Sequence, residues 1–281
     1  MGGGRDRELD PKTRIDFQVT CDAYHRLVLD RILEATRDRV VDLRARRGAV
    51  MARAETVSEP RPFLSALADR PHLAVIAEIK RRSPSRGQLA PALDVSSLAT
   101  QYAAGGAAAL SVLTEPAFFD GDPADIMTAA EATHLPILRK DFVLESIQVW
   151  EARAMGASAV LLIMAALTPN DVVGLLDDIH RAGLEALVEV HSADEARQAV
   201  DLGARIVGVN NRDLATFEVD LGVAEELAPL LESVPVRVAE SGVRTTADAI
   251  RMREAGYNAV LVGEALVRSA NPTALIEELS V

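Results

Sequence analysis

Two lysines and three glutamates stand at the ends of short aliphatic runs, where packing alone has no use for them. Glu78 and Lys80 close the run from His72 to Ile79 and share strand parity, so both side chains leave the same side. Lys140 falls at the end of 136–141, Glu189 at the end of 185–190, and Glu240 at the end of 236–241. Asn210 ends 206–211, with Arg212 just beyond it. Lysine beside glutamate is material for proton transfer: the ammonium is an acid, and the carboxylate is either a base or the partner that keeps the ammonium charged. Glu78 and Lys80 alone could be a structural ion pair. Several charged strand ends on one rim are costly unless chemistry uses them, and together they predict a site.

Two further strand ends carry glycine, in Ser241-Gly242 and Gly263-Glu264. Glycine lets backbone amides approach a ligand, and the helix starts after the last two strands of a barrel are its usual phosphate site. Either glycine alone would read as a tight turn. His134 and His191 lie near strand ends without a His, Cys or Asp partner at ligand spacing, so no metal is expected.

These residues need a scaffold that brings strand ends together. From residue 72 the chain repeats a short aliphatic strand and a helical segment, with strands predicted at 72–80, 109–114, 136–141, 159–165, 185–190, 206–211, 236–241 and 259–264. The strand ends advance by about 26 residues, one βα unit each. Glycines such as Gly156, Gly183, Gly203 and Gly256 stop the helical segments before the strands. No Gly-x-Gly-x-x-Gly follows the first strand, so the α/β class resolves to a (β/α)8 TIM barrel rather than an open dinucleotide-binding sheet. The barrel is assigned to 72–281 and an N-terminal helical extension to 14–71, forming one domain with it. A disordered leader is assigned to 1–13, which is rich in glycine and charge. In the extension, apolar spacing predicts a helix from Ile15 to Arg47 whose basic tail, Arg44 to Arg47, reads as a solvated C-terminus. A Pro-bounded turn and a short apolar helix follow at 60–67.

The 281 residues carry a net charge of −12, which would repel a nucleic acid, although local lysines and amides can still bind a small anion. Cys21 is the only cysteine, so no intrachain disulfide forms and a reducing cytoplasm fits. The longest apolar run, Ala159 to Leu167, has nine residues where a membrane span needs about twenty. A soluble protein with no membrane partner is expected, and the sequence leaves a monomer open.

The motifs together resemble the indole-3-glycerol-phosphate synthase family. They are Glu78-Ile79-Lys80-Arg81-Arg82-Ser83-Pro84-Ser85, Leu113-Thr114-Glu115 with Phe118-Phe119-Asp120-Gly121, Leu138-Arg139-Lys140-Asp141-Phe142, Val188-Glu189-Val190-His191, Gly208-Val209-Asn210-Asn211-Arg212-Asp213-Leu214, Ala239-Glu240-Ser241-Gly242 and Leu261-Val262-Gly263-Glu264. The resemblance implies closure of the pyrrole ring of 1-(2-carboxyphenylamino)-1-deoxyribulose 5-phosphate with loss of carbon dioxide and water, on a small anionic phosphorylated substrate and without a cofactor. It makes Lys140 the general acid on the ketone and gives Glu189 the protons of the dehydration. Lys80, held near Glu78, becomes a substrate contact or second acid. Glu78, Asn210 and Glu240 position hydroxyls and lysines. Ser83, Arg212 and the amides of Ser241-Gly242 and Gly263-Glu264 hold the carboxylate or phosphate, and Phe119 and Phe142 flank the aromatic ring unless they are core. Three other readings stay open: phosphoribosylanthranilate isomerase, for which a Cys/Asp pair is expected and Cys21 lies outside the barrel; a Schiff-base aldolase using Lys80 or Lys140; and a barrel that binds a metabolite without turning it over.

Overall fold

The computed structural model describes residues 11–68, 70–213 and 216–281, with side chains from residue 28 onward. Eight parallel strands close into a barrel: β1 (Ala74–Ile79), β2 (Ala109–Leu113), β3 (Ile137–Lys140), β4 (Ala159–Ile163), β5 (Glu185–Val190), β6 (Ile206–Asn210), β7 (Val236–Glu240) and β8 (Ala259–Val262). Each pairs with its neighbour in sequence, and β8 returns to β1 with Ala74 opposite Ala259. All eight predicted strands are present, most of them a residue or two shorter than read. The 159–165 stretch, for example, leaves the strand after Ile163 for a short 3-10 turn at Met164–Ala166.

Strand alternation sorts the side chains. Leu110, Val112, Val160, Leu162, Val188 and Val207 face outward and are buried under the helices. Ala74, Ile76, Ala109, Leu138, Leu161, Leu187, Val238 and Leu261 face the barrel axis. Helices stop where glycine takes the left-handed conformation, as at Gly156 (φ +87°) and Gly256 (φ +92°), which frees the chain to turn into the next strand.

The extension forms three helices, α1 (Pro11–Ala45), α2 (Arg47–Thr56) and α3 (Phe63–Ala68). The helix expected at 15–47 therefore begins earlier, at Pro11, inside the stretch read as a leader; residues 1–10 of that stretch lie outside the described residues. It also ends sooner, and Arg47 opens a second helix that the apolar spacing did not reveal. Nor is the basic tail merely solvated. Arg44 makes a two-pronged contact with Glu145 at 2.8 and 2.7 Å.

Phe63 and Leu67 of α3 are fully buried and join the interior cluster beside Ala74, Ala109, Ala159 and Ala259. Alanine on four strands leaves room for this plug, and burying each large side chain is worth about 1.5–3 kcal/mol. Other staples tie the extension to the barrel. Arg153 donates to the carbonyls of Val57 and Ser58, and Arg61 donates to those of Ala130, Thr133 and Leu135, where the helix Ala124–Ala132 runs out of internal donors. Among the described residues no helix is long and apolar enough to cross a membrane.

Candidate active site

The charged strand ends meet. Lys140 Nζ, at the end of β3, donates to Glu189 Oε2 from β5 and to Glu240 Oε2 from β7, each at 2.7 Å. Glu78, from β1, pairs with Lys80 as their shared parity predicted. Glu78, Lys140, Glu189 and Glu240 thus come from the four odd-numbered strands, consistent with the way alternate strands fill one layer of a barrel interior. Asn210 joins them from β6, its Nδ2 donating to Glu189 Oε1 at 3.2 Å while its Oδ1 accepts the Arg212 amide at 3.1 Å.

Room for these carboxylates is made by absent side chains. A Cβ at Gly208 on β6 would collide with Glu240 Oε1, and one at Gly263 after β8 would collide with Glu78 Oε1. Gly263 was read from sequence only as a ligand-facing amide; its neighbour across the strands supplies a second reason for glycine. Ser241 adopts the left-handed conformation (φ +62°), uncommon for a residue with a side chain, and Gly242 follows at +94°. Asn211 holds this turn: its Nδ2 donates to the carbonyls of Glu240 at 3.0 Å and Ser241 at 3.1 Å.

Burial opposes the charge on Lys140, but Glu189, Glu240 and Glu78 together outweigh it and push its pKa up. It is an ammonium at neutral pH. That suits an acid, and it is the reverse of what a Schiff-base nucleophile requires. The two carboxylates that share it diverge. For Glu189 the cost of burial is outweighed by Lys140 and His191, which hold it well below the usual carboxylate range. Burial raises Glu240 to about 7, Lys140 opposing and the Glu189 charge adding to the rise. Its Oε1, packed over Gly208, has no hydrogen-bond partner among the described residues.

Above this floor the cavity has apolar walls. Phe119 and Phe142 line it with their ring centroids 6.3 Å apart, and Phe142 also packs against the interior cluster of the barrel. Val28, Leu29 and Ile32 of α1 add a roof, which apolar periodicity in the sequence could not place. The roof is fastened by Arg39, which donates to Asp141 Oδ1 at 2.8 Å and Oδ2 at 3.2 Å. Asp141, the next residue along, does not join Lys140 in the cluster. Being one residue on, it faces the other way, and its buried carboxylate is taken by Arg39, Arg139 and Thr114. The mouth is lined by Ser83, Arg212, Ser241, Gly242, Gly263 and Glu264, which brings the sequence-predicted anion contacts to one side. Burial lowers the Arg212 pKa; Glu264 counters this, and Arg86 and Arg244 add to it. An anion seated there would relieve that crowding of cations.

A closed parallel barrel with an ammonium clasped by carboxylates at the C-terminal ends of its strands defines an acid–base enzyme of the (β/α)8 class. Residues 29–279 match the family model for indole-3-glycerol phosphate synthase. The chain is 46% identical over 258 residues to the indole-3-glycerol phosphate synthase of Mycobacteroides abscessus, covering 90% of this chain and 93% of that one. It is 50% identical over 212 residues to that of Kineococcus radiotolerans, covering 75% and 77%. A solved 3-hexulose-6-phosphate synthase shares the fold, with a TM-score of 0.58 at 17% identity over 74% of this chain and 98% of that one. The chain belongs to the indole-3-glycerol phosphate synthase family, carboxy-lyases of the tryptophan pathway.

Proposed function

We propose that this chain, as a cytoplasmic enzyme, closes the pyrrole ring of 1-(2-carboxyphenylamino)-1-deoxyribulose 5-phosphate with the residues just placed. The observation that carries the reading is the Lys140 ammonium, held at 2.7 Å by each of two carboxylates on the floor of an aromatic-walled cavity. The aromatic carbon bearing the carboxylate attacks the ketone while Lys140 protonates the ketone oxygen. The carbon–carboxylate bond then breaks and releases carbon dioxide. In the dehydration that follows, a C–H proton passes to Glu189 and the hydroxyl leaves as water. The carboxylate departs without a proton and the hydroxyl departs with one, so each turnover takes up one proton from the medium.

Lys80, set by Glu78, binds the substrate carboxylate or serves as a second acid, and Asn210 and Glu240 orient the hydroxyls and Lys140. Ser83, Arg212 and the amides around Ser241-Gly242 and Gly263-Glu264 hold the anionic ends, and Phe119 and Phe142 flank the ring.

Appearance of indole fluorescence from the ribulose phosphate tests the activity directly. Lys140→Ala should retain the fold and lose turnover by roughly two to four orders of magnitude, the range for an acid–base group. Turnover within a few fold of the unaltered chain would remove Lys140 from the acid role.

A further inference from the structure

We infer that His191 is a positioning residue whose imidazolium, set between Glu189 and Glu195, keeps Glu189 ionised and correctly turned after Lys140 has given up its proton. The inference rests on the reading of Glu189 as the base of the dehydration. His191 follows β5 and shares parity with Glu189. Its Nε2 lies 3.3 Å from Glu189 Oε1 and its Nδ1 lies 3.4 Å from Glu195 Oε2. A carboxylate at each ring nitrogen is met only by the doubly protonated ring, since neutral imidazole has a single donor. At these separations neither N–H makes a well-aligned hydrogen bond, so what a protonated ring gains from the two carboxylates is chiefly the attraction of opposite charges.

The neighbourhood fixes the arrangement from both sides. Glu195 lies in the first turn of the helix Ala193–Asp201, and its Oε2 accepts the His191 backbone amide at 2.8 Å, which clamps the histidine to that helix. On the other side Glu189 divides its oxygens, giving Oε2 to Lys140 and Oε1 to Asn210 and His191. The imidazole is largely buried, and although burial alone would lower its pKa, Glu189 and Glu195 raise it to about 9.

The chemistry explains why a second cation is needed. In the resting site Lys140 supplies the positive charge beside Glu189. Once its N–H proton has passed to the ketone oxygen, Lys140 is a neutral amine, and a buried carboxylate next to a neutral amine drifts toward protonation. Glu189 must still be a carboxylate when the C–H proton leaves. His191 transfers nothing, so its charge persists through both halves of the reaction and holds Oε1 in place.

Three measurements test this. Nitrogen-15 spectra of histidine-labelled protein at pH 7.5 should show both nitrogens of His191 protonated; a neutral ring there overturns the inference. In single-turnover quenching, His191→Gln should release carbon dioxide near the normal rate but form the indole about tenfold more slowly, with KM little changed. Equal slowing of both steps, a change in KM alone, or no change would each overturn it. If His191→Gln fails to fold, Glu195→Gln, which removes the outer partner near the surface, should slow the same late step to a lesser degree, and an unaffected late step would count against the inference. An unaltered chain that makes no indole product would instead defeat the reading of Glu189, whereas the nitrogen spectra need no substrate and still decide the state of the ring.

Discussion

One ammonium between two buried carboxylates cannot treat them alike, and at the scale of the residue this asymmetry is the central feature of the site. Glu189 is held ionised, whereas Glu240 retains its proton up to about pH 7. A carboxyl whose pKa is raised on folding contributes stability below its unfolded value, near 4.5, and loses that contribution as the pH climbs through 7. The rise is worth on the order of 3 kcal/mol. Urea unfolding at pH 5 and pH 8 should therefore show a loss of stability with rising pH that is smaller in Glu240→Gln, the part left belonging to His191, whose raised pKa acts over an overlapping range, and an identical loss in both proteins would refute the assignment. At this scale the sequence was most legible. Parity paired Glu78 with Lys80, and strand-end position brought together Lys140, Glu189, Asn210 and Glu240. What it could not convey was which partner each atom takes. That depends on neighbours more than twenty residues away, such as Gly208 beneath Glu240. His191 was screened from sequence only as a metal ligand, because its partner Glu189 is on the same strand and therefore reads as a site residue in its own right.

Among the elements, α1 reaches furthest from local sequence logic. Its apolar residues Val28, Leu29 and Ile32 face a cavity rather than a packed core, so their spacing predicted a helix but not its purpose. The fastening is Arg39 on Asp141. Arg39→Met keeps the aliphatic stem but drops the charged hydrogen bonds, and should cost about 1–3 kcal/mol in urea unfolding. Because the roof is then less firmly seated, KM for the ribulose phosphate should rise several fold with kcat largely kept; an unchanged KM would show that the roof is placed without this contact. The break between α1 and α2 also escaped the sequence, since Gly48 lies inside α2 rather than at the break: Arg46 carries the turn, and Arg44 meets Glu145 at the start of the helix Ser146–Met155. The barrel helices were easier to bound because glycine ends them.

For the molecule as a whole, the net charge of −12 opposes a phosphorylated substrate, so the affinity has to be local. On the proposed reading, Arg212 and Arg244 on the cavity wall, with Arg86 within electrostatic reach, supply that positive field together with the backbone amides. Inorganic phosphate should therefore compete with substrate, and Arg212→Met should weaken both by about tenfold, the scale of one charged hydrogen bond. A variant that loses substrate but holds phosphate as before would assign Arg212 to the carboxylate end instead. The closed order of the strands has one more consequence. β1 to β4 bring Glu78, Lys80 and Lys140, whereas β5 to β8 bring Glu189, Asn210 and Glu240. Lys140 lies in one half of the ring and the two carboxylates that clasp it lie in the other. Neither half holds the clasp alone, so two separately made halves would be joined across their seam by these same charges.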